Sequence, residues 1–236
     1  MSKISALRAP PSNRLLAALS KNEYRELLPD LEPFPLIFGE LIYARGAEVR
    51  HVYFPNSGIV SLLADVDEGG TLEVGIVGRE GMAGMSAFMG VKTSPNRALV
   101  QGAGSALRMK ATALQRMTGN HGDLSRLLRR YSYSLWTQLS QSSICNSYHP
   151  IDARLARWLL MTRDRMESND FPITQDFLSS MLGVRREGVN KAAGKLQQQR
   201  LISYNRGTLT ILKPRDLAAL ACKCYRIIKK EYNNGL

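Results

Sequence analysis

The stretch MLGVRREGVNKAAGKL, residues 181–196, constrains the fold most. Helical spacing over Phe177, Leu178, Met181 and Leu182 stops at Gly183, and a second helical pattern follows at Val189, Ala192, Ala193 and Leu196. Glycine supplies the left-handed backbone that a tight turn after a helix requires. Thr174 stands where the first helix needs a cap. Apolar residues at 178, 182, 184, 189 and 192, with small Ser179 where the helices cross, predict a helix-turn-helix. Two features fit less well: Gly188 and Gly194 lie inside the second helix and each costs about 1 kcal/mol relative to alanine. Gly188 is read as allowing close approach to a ligand surface, and Gly194 has no explanation in the pattern.

The outward face of the second helix, residues 185–199, then carries Arg185, Arg186, Glu187, Asn190, Lys191 and Lys195. Arginine donates two hydrogen bonds to guanine, glutamate accepts from cytosine, and asparagine pairs with adenine. The two lysines suit phosphates. Arg185 occupies a cap position where its charge opposes the helix dipole, an arrangement that a bound phosphate makes tolerable. LISYNRGTLTILKP follows and reads as strand, turn and strand: a β wing with Arg206 at its tip. These residues point to double-stranded DNA; the rival reading is a structural αα-hairpin with a solvated basic face.

Charge supports the first reading. The net charge is +12, and residues 150–236 hold 16 Lys and Arg against 8 Asp and Glu. Phosphate neutralisation releases condensed counterions, so nucleic acid is the usual partner of such an excess.

The rest of the chain changes texture twice. Residues 13–28 show helical spacing through Leu15, Leu16, Leu19, Tyr24, Leu27 and Leu28. From about 33 to 110, strand-like runs at 51–54, 59–64 and 71–77 are punctuated by ARGAE, PNSG, DEGG and VGREG, with a hairpin turn expected at Asp67-Glu68-Gly69-Gly70. Many short strands at this spacing predict a barrel or jelly roll. Over 123–148, Leu124, Leu128, Tyr131, Leu135, Gln138, Ser142 and Cys145 form a heptad seam, read as the contact to a second copy of the chain; an ordinary core-facing helix is the alternative. His149-Pro150 breaks that helix, and 151–166 give another, amphipathic through Leu155, Trp158, Leu159 and Met161.

Other chemistries find little support. No apolar run approaches the roughly 18 residues of a membrane span, and the first twenty residues lack a signal-peptide pattern. Three cysteines, Cys145, Cys222 and Cys224, argue against a disulfide framework and for a reducing compartment, the cytoplasm by default. Cys145 and His149 are four apart on one helix, and with Cys222 and Cys224 they are candidates for metal or redox chemistry, but the spacing matches no zinc signature and buried structural cysteines are the favoured reading. His51, His121 and His149 carry no further sign of haem. A metal-dependent jelly-roll enzyme is the rival from another class. The roll holds only His51, and the chain has no phosphate-binding glycine loop with a lysine and no Ser or Cys nucleophile signature. A protein without catalytic activity and without a cofactor is expected.

Over residues 13–230 the order of elements resembles the Crp/Fnr transcription regulators, most specifically in GELIYARGAEVRHVYFPNSGIVSLL and ITQDFLSSMLGVRREGVNKAAGKLQQQRLISYNRGTLTI. The resemblance implies an α+β chain: a β-roll (jelly-roll) sensor domain over 13–122, a dimerisation helix over 123–149, and a winged helix-turn-helix DNA-binding domain over 150–236. It places Arg186, Glu187 and Lys191 on the base-reading positions of the family and implies a homodimer on a palindromic site. RNA polymerase is a further candidate partner. Cyclic-nucleotide-binding members hold the ribose with a Gly-Glu pair and the phosphate with an Arg-Ser/Thr-Ala run. Here Gly84 precedes Met85, and Arg97-Ala98 stands one place off. The candidate effector set is therefore Gly84, Met85, Arg97 and Ala98, with Leu139 and Ser140 from the long helix. Without the ribose acceptor a charge-assisted hydrogen bond of about 1.5–3 kcal/mol is lost, so the expectation is a regulator that works without a cyclic nucleotide and answers to another small molecule or to redox state. A cyclic-nucleotide-responsive regulator with an atypical pocket is the alternative. Iron–sulfur members use clustered N-terminal cysteines, and none stands before Cys145.

Overall fold

The computed structural model describes residues 11–66, 70–119, 122–205 and 207–234. Arg206, His121 and the turn residues Asp67, Glu68 and Gly69 lie outside these. The chain forms two compact units. One gathers the residues up to Leu62, then Ile76–Leu135 and the end of the chain from Tyr232; the other holds Leu63–Gly75 and Trp136–Glu231.

In the first unit, α1 (Arg14–Ala17) and α2 (Lys21–Leu27) replace the single helix expected over 13–28. The break has a local cause: Ser20 is extended and its hydroxyl accepts from the Glu23 N–H, starting a new helix. Buried Asn13 caps α1 through the Leu16 N–H at 3.2 Å and donates at 2.9 Å to both the Pro55 and Gly81 carbonyls. The sheet comprises β1 (Glu32–Leu36), β2 (Leu41–Tyr43), β3 (His51–Asp65), β4 (Thr71–Val77) and β5 (Arg97–Lys110). Its order is β1-β5-β3-β4, with β2 also on β5. The register between β1 and β5 is antiparallel, from Glu32 opposite Arg108 to Leu36 opposite Gly104.

Pro55-Asn56-Ser57-Gly58, expected as a break, lies inside one 15-residue strand. Gly58 has φ 83°, and a Cβ there would stand 2.6 Å from the Gly102 carbonyl. One at Gly104 would stand 2.4 Å from the Ser57 carbonyl. The glycines thus let β3 bend against β5 without ending it. The hairpin expected after β3 closes through a hydrogen bond from the Val66 N–H to the Gly70 carbonyl. The roll's core is Val52, Phe54, Ile59, Val60, Ile76, Val77, Ala98 and Val100, each at most 1% exposed. Helix α3 (Met85–Phe88) follows β4, and α4 (Ala111–Thr118) follows β5.

Helix α5 (Asp123–Tyr148) starts on a remote cap: the Glu23 carboxylate of α2 accepts from the Asp123 and Leu124 N–H groups, both at 2.9 Å. Its heptad seam is buried throughout, from Leu124 at 0% exposure through Tyr131 and Gln138 to Cys145 at 0%. The seam read as a contact to a second copy therefore faces the interior of its own chain. Heptad spacing states that residues share a face, and says nothing of what covers that face. The outward stripe is a different one, with Tyr133, Trp136, Ile144 and Tyr148 exposed.

The second unit is built on α6 (Ile151–Met166), whose Leu155, Trp158 and Leu159 are buried as the spacing predicts. After the short strand β6 (Asp170–Pro172) come α7 (Gln175–Leu182), α8 (Arg186–Gln198), and strands β7 (Ile202–Asn205) and β8 (Thr208–Ile211). The small sheet runs β6-β8-β7. Helices α9 (Pro214–Leu220) and α10 (Lys223–Asn234) close the chain. Among the described residues no helix is long and apolar enough to cross a membrane.

Candidate nucleic-acid interface

Local chemistry sets the geometry of the two central helices. Thr174 is extended and its Oγ1 accepts from the Phe177 N–H at 3.1 Å, starting α7. Gly183 ends it at φ 60°, ψ 42°. The chain turns, and the Val184 N–H returns to the Ser179 carbonyl at 3.1 Å. Leu178, Met181 and Leu182 of α7 are buried, as are Val189, Ala192, Ala193 and Leu196 of α8. Burying that stripe leaves the opposite face of α8 in solvent.

Arg185, Arg186, Glu187, Asn190, Lys191 and Lys195 are all exposed. Arg185 is the N-cap residue, extended at φ −67°, ψ 150°, and contributes no side-chain cap. The first turn of α8 thus lacks a side-chain cap and carries two exposed arginines beside it, a setting that favours an anion. Arg186 reaches back to Asp176 at 3.4 Å, and Lys195 to Asp152 at 3.3 Å. Both pairs are exposed, so little energy holds these side chains away from another partner. Gly188 serves packing: a Cβ there would stand 3.1 Å from Ile151 Cδ1 of α6. Packing thus gives this glycine a reason of its own beside the close approach expected of it. Nothing lies within 4 Å of a Cβ at Gly194, and no contact explains that glycine.

Strands β7 and β8 form the expected wing, registered from Ile202 opposite Ile211 to Asn205 opposite Thr208. The Ile173 N–H donates to the Gly207 carbonyl at 2.7 Å, and Tyr204 donates its hydroxyl proton to the Ile173 carbonyl at 2.8 Å. These bonds fix the wing to the start of α7. Burial raises the Tyr204 pKa above the ordinary phenol value, which keeps that donor protonated.

The candidate effector residues fare differently. Gly84 has φ 98°, and a Cβ there would stand 3.1 Å from Val52 Cγ1. Met85 and Ala98 are buried, and Arg97 is half-buried. These four belong to the first unit, whereas half-buried Leu139 and exposed Ser140 belong to the second. A pocket of about 380 Å³ in the first unit is lined by Glu48, His51, Lys92, Lys110 and Gln115 among others, and by none of the four. Burial, then Arg108, lowers the His51 pKa. The spacing did not reveal the outward stripe of α5, because a second heptad of the same helix, richer in leucine, dominates the pattern.

Two family models match the chain in succession: a cyclic nucleotide-binding domain over residues 38–121 and a Crp-like helix-turn-helix domain over 153–220. Together they span more than half of it. The chain belongs to the Crp/Fnr family of transcription regulators. Solved Crp/Fnr-type structures share its fold at low identity. A putative Crp/Fnr regulator from Eubacterium rectale superposes with a TM-score of 0.70 at 17% identity, covering 89% of this chain and 98% of that one. FixK2 from Bradyrhizobium japonicum gives 0.69 at 16%, covering 81% and 98%. The c-di-GMP-responsive global regulator CLP of Xanthomonas campestris gives 0.64 at 17%, covering 81% and 99%. Among curated proteins no match reaches significance. As a Crp/Fnr-type regulator, the chain carries a DNA-binding helix-turn-helix, and α7 and α8 are its two helices.

Proposed function

We propose that this regulator acts as a homodimer, in the cytoplasm and without catalytic activity, and reads a two-fold-symmetric DNA site with one α8 per half-site. The observation that carries this reading is the exposed face of α8. Arg186, Glu187 and Lys191 leave the buried stripe in the first two turns, where a recognition helix meets base edges. Arg185, Lys195 and Arg206 take phosphates. Residues 13–122 serve as the sensor domain, 123–149 as the dimer helix and 150–236 as the DNA-binding domain.

The dimer contact moves to the outward stripe of α5, where exposed Tyr133, Trp136, Ile144 and Tyr148 flank small Ser140. An apolar stripe on a 26-residue helix supports pairing with its own copy. Trp136→Asp is expected to convert the dimer to monomer in sedimentation velocity with the fold intact by circular dichroism; an unchanged dimer rejects this stripe.

The reading continues with a sensor that does without a cyclic nucleotide and answers to another effector, the contact to RNA polymerase following from the DNA-bound dimer. Buried Met85 in place of a ribose acceptor supports it. Selection from a randomised duplex library, with and without cyclic AMP or cyclic GMP, tests both parts. A palindrome enriched equally in all conditions is the expected result. Enrichment only with nucleotide would overturn the ligand-independent part, and enrichment of one non-repeated half-site would overturn the dimer.

A further inference from the structure

Four side chains from two distant segments of the second unit converge. Cys145 lies in the last turn of α5 and His149 follows its end, four positions further along the chain. Cys222 and Cys224 flank Lys223, the first residue of α10. The Cys145 and Cys222 Sγ atoms are 3.4 Å apart, and Cys224 Sγ is 3.7 Å from His149 Nδ1. All four ligand atoms lie within 4.8 Å of one another. A tetrahedral ion with metal–sulfur bonds near 2.3 Å and a metal–nitrogen bond near 2.1 Å spaces its ligand atoms about 3.6–3.8 Å apart. The Cys224–His149 pair already stands near that spacing, and the Cys145–Cys222 pair need open by only about 0.4 Å.

Charge supplies a second, independent argument. Arg154 and Arg157 of α6 are buried, at 7% and 6% exposure. Arg154 donates to the Leu182 carbonyl and Arg157 to Met161 Sδ at 3.3 Å. Among the described residues neither pairs with a carboxylate, and the Nε atoms of both have no partner. Buried cations without counter-charge are costly. The ionisable groups in electrostatic contact with them are the cysteines, Cys145 and Cys224 with Arg157 and Cys145 with Arg154. A divalent ion with three thiolates and a neutral imidazole carries a net charge of −1, which gives these guanidinium groups a compensating partner.

We propose that Cys145, His149, Cys222 and Cys224 form a tetrahedral site for a thiophilic divalent cation of the zinc class, which ties the start of α10 to the end of α5. Three sulfurs and one imidazole nitrogen select zinc over calcium or magnesium, whose ligands are oxygens. On binding, the ion takes the lone pair of His149 Nδ1 and replaces the three thiol protons, which pass to solvent. None of the four ligands belongs to α8, so failure of the site would leave the DNA reading intact.

The test uses the purified full-length chain, reduced, stripped with a chelator and titrated with Co²⁺. One equivalent should bind, with thiolate-to-cobalt charge-transfer absorption and tetrahedral ligand-field bands, and Zn²⁺ should displace it. Zinc should protect all three cysteines from alkylation, read by mass spectrometry, and raise Tm by roughly 5 °C or more at a free concentration roughly a hundredfold above Kd. The C222S/C224S double variant should lose the cobalt spectrum and the Tm shift. Absence of stoichiometric uptake by the reduced wild-type chain overturns the site, as does uptake that persists in the variant or zinc that leaves the cysteines reactive. A chain that forms a Cys145–Cys222 disulfide, and takes up no cobalt after reduction, also overturns it. If the variant fails to fold, wild-type alkylation and the cobalt spectrum decide alone.

Discussion

Two glycines in this molecule do the same thing to the backbone and lead to opposite surfaces. Gly84, at φ 98°, precedes α3, and Gly183, at φ 60°, precedes the turn into α8. After Gly183 the chain presents Arg185, Arg186 and Glu187 to solvent. After Gly84 it buries Met85 at 8% exposure. The backbone device survives at both places, but charged side chains follow it at only one. A left-handed glycine therefore marks where a loop can present a ligand-binding side chain, and the next few residues decide whether it does.

The contrast can be broken most forcefully at Met85. Met85→Glu supplies the carboxylate that the family resemblance expects at this position but puts it into a buried site, at a cost of roughly 3 kcal/mol or more. Thermal denaturation should show the loss with and without cyclic AMP. A nucleotide-dependent recovery would mean that the rest of the nucleotide site is intact. Next, Arg186→Ala should cost about 2 kcal/mol of discrimination at one position per half-site, measured by anisotropy against matched and mismatched duplexes; equal loss on every duplex would turn Arg186 into a phosphate contact. Gly183→Ala forces a Cβ into the left-handed region and should cost about 1 kcal/mol or more of stability, read by urea unfolding. Lys195→Ala should have the smallest effect. Its ion pair with Asp152 is exposed and worth under about 1 kcal/mol, while the slope of log binding constant against log salt should fall by about 1.

The helix-turn-helix was legible in the sequence because its determinants are local. Thr174 caps its own helix, Gly183 ends it, and Val189, Ala192, Ala193 and Leu196 repeat on one face within three turns. Where a residue's role depends on a distant element, the sequence misled. Pro55-Asn56-Ser57-Gly58 has turn composition, but the carbonyls of Gly102 and Ala103 on β5 make it a bend in a strand. The contact of Gly188 with Ile151 on another helix was likewise invisible in the spacing. The α5 seam was recognised as a stripe and given the wrong neighbour, since a heptad records only which residues share a face. The four groups at Cys145, His149, Cys222 and Cys224 were visible as letters, but their convergence across a separation of 77 residues could not be read from spacing.

The cap on α5 has a consequence in the order of synthesis. Glu23 leaves the ribosome 100 residues before Asp123, whose N–H it accepts. When the long helix begins to emerge, the acceptor for its first free amides is already outside and waits for it. The start of that helix is thus a meeting point between two segments 100 residues apart in the chain. A chain that lacks the α2 segment would present the same helix with its first turn open.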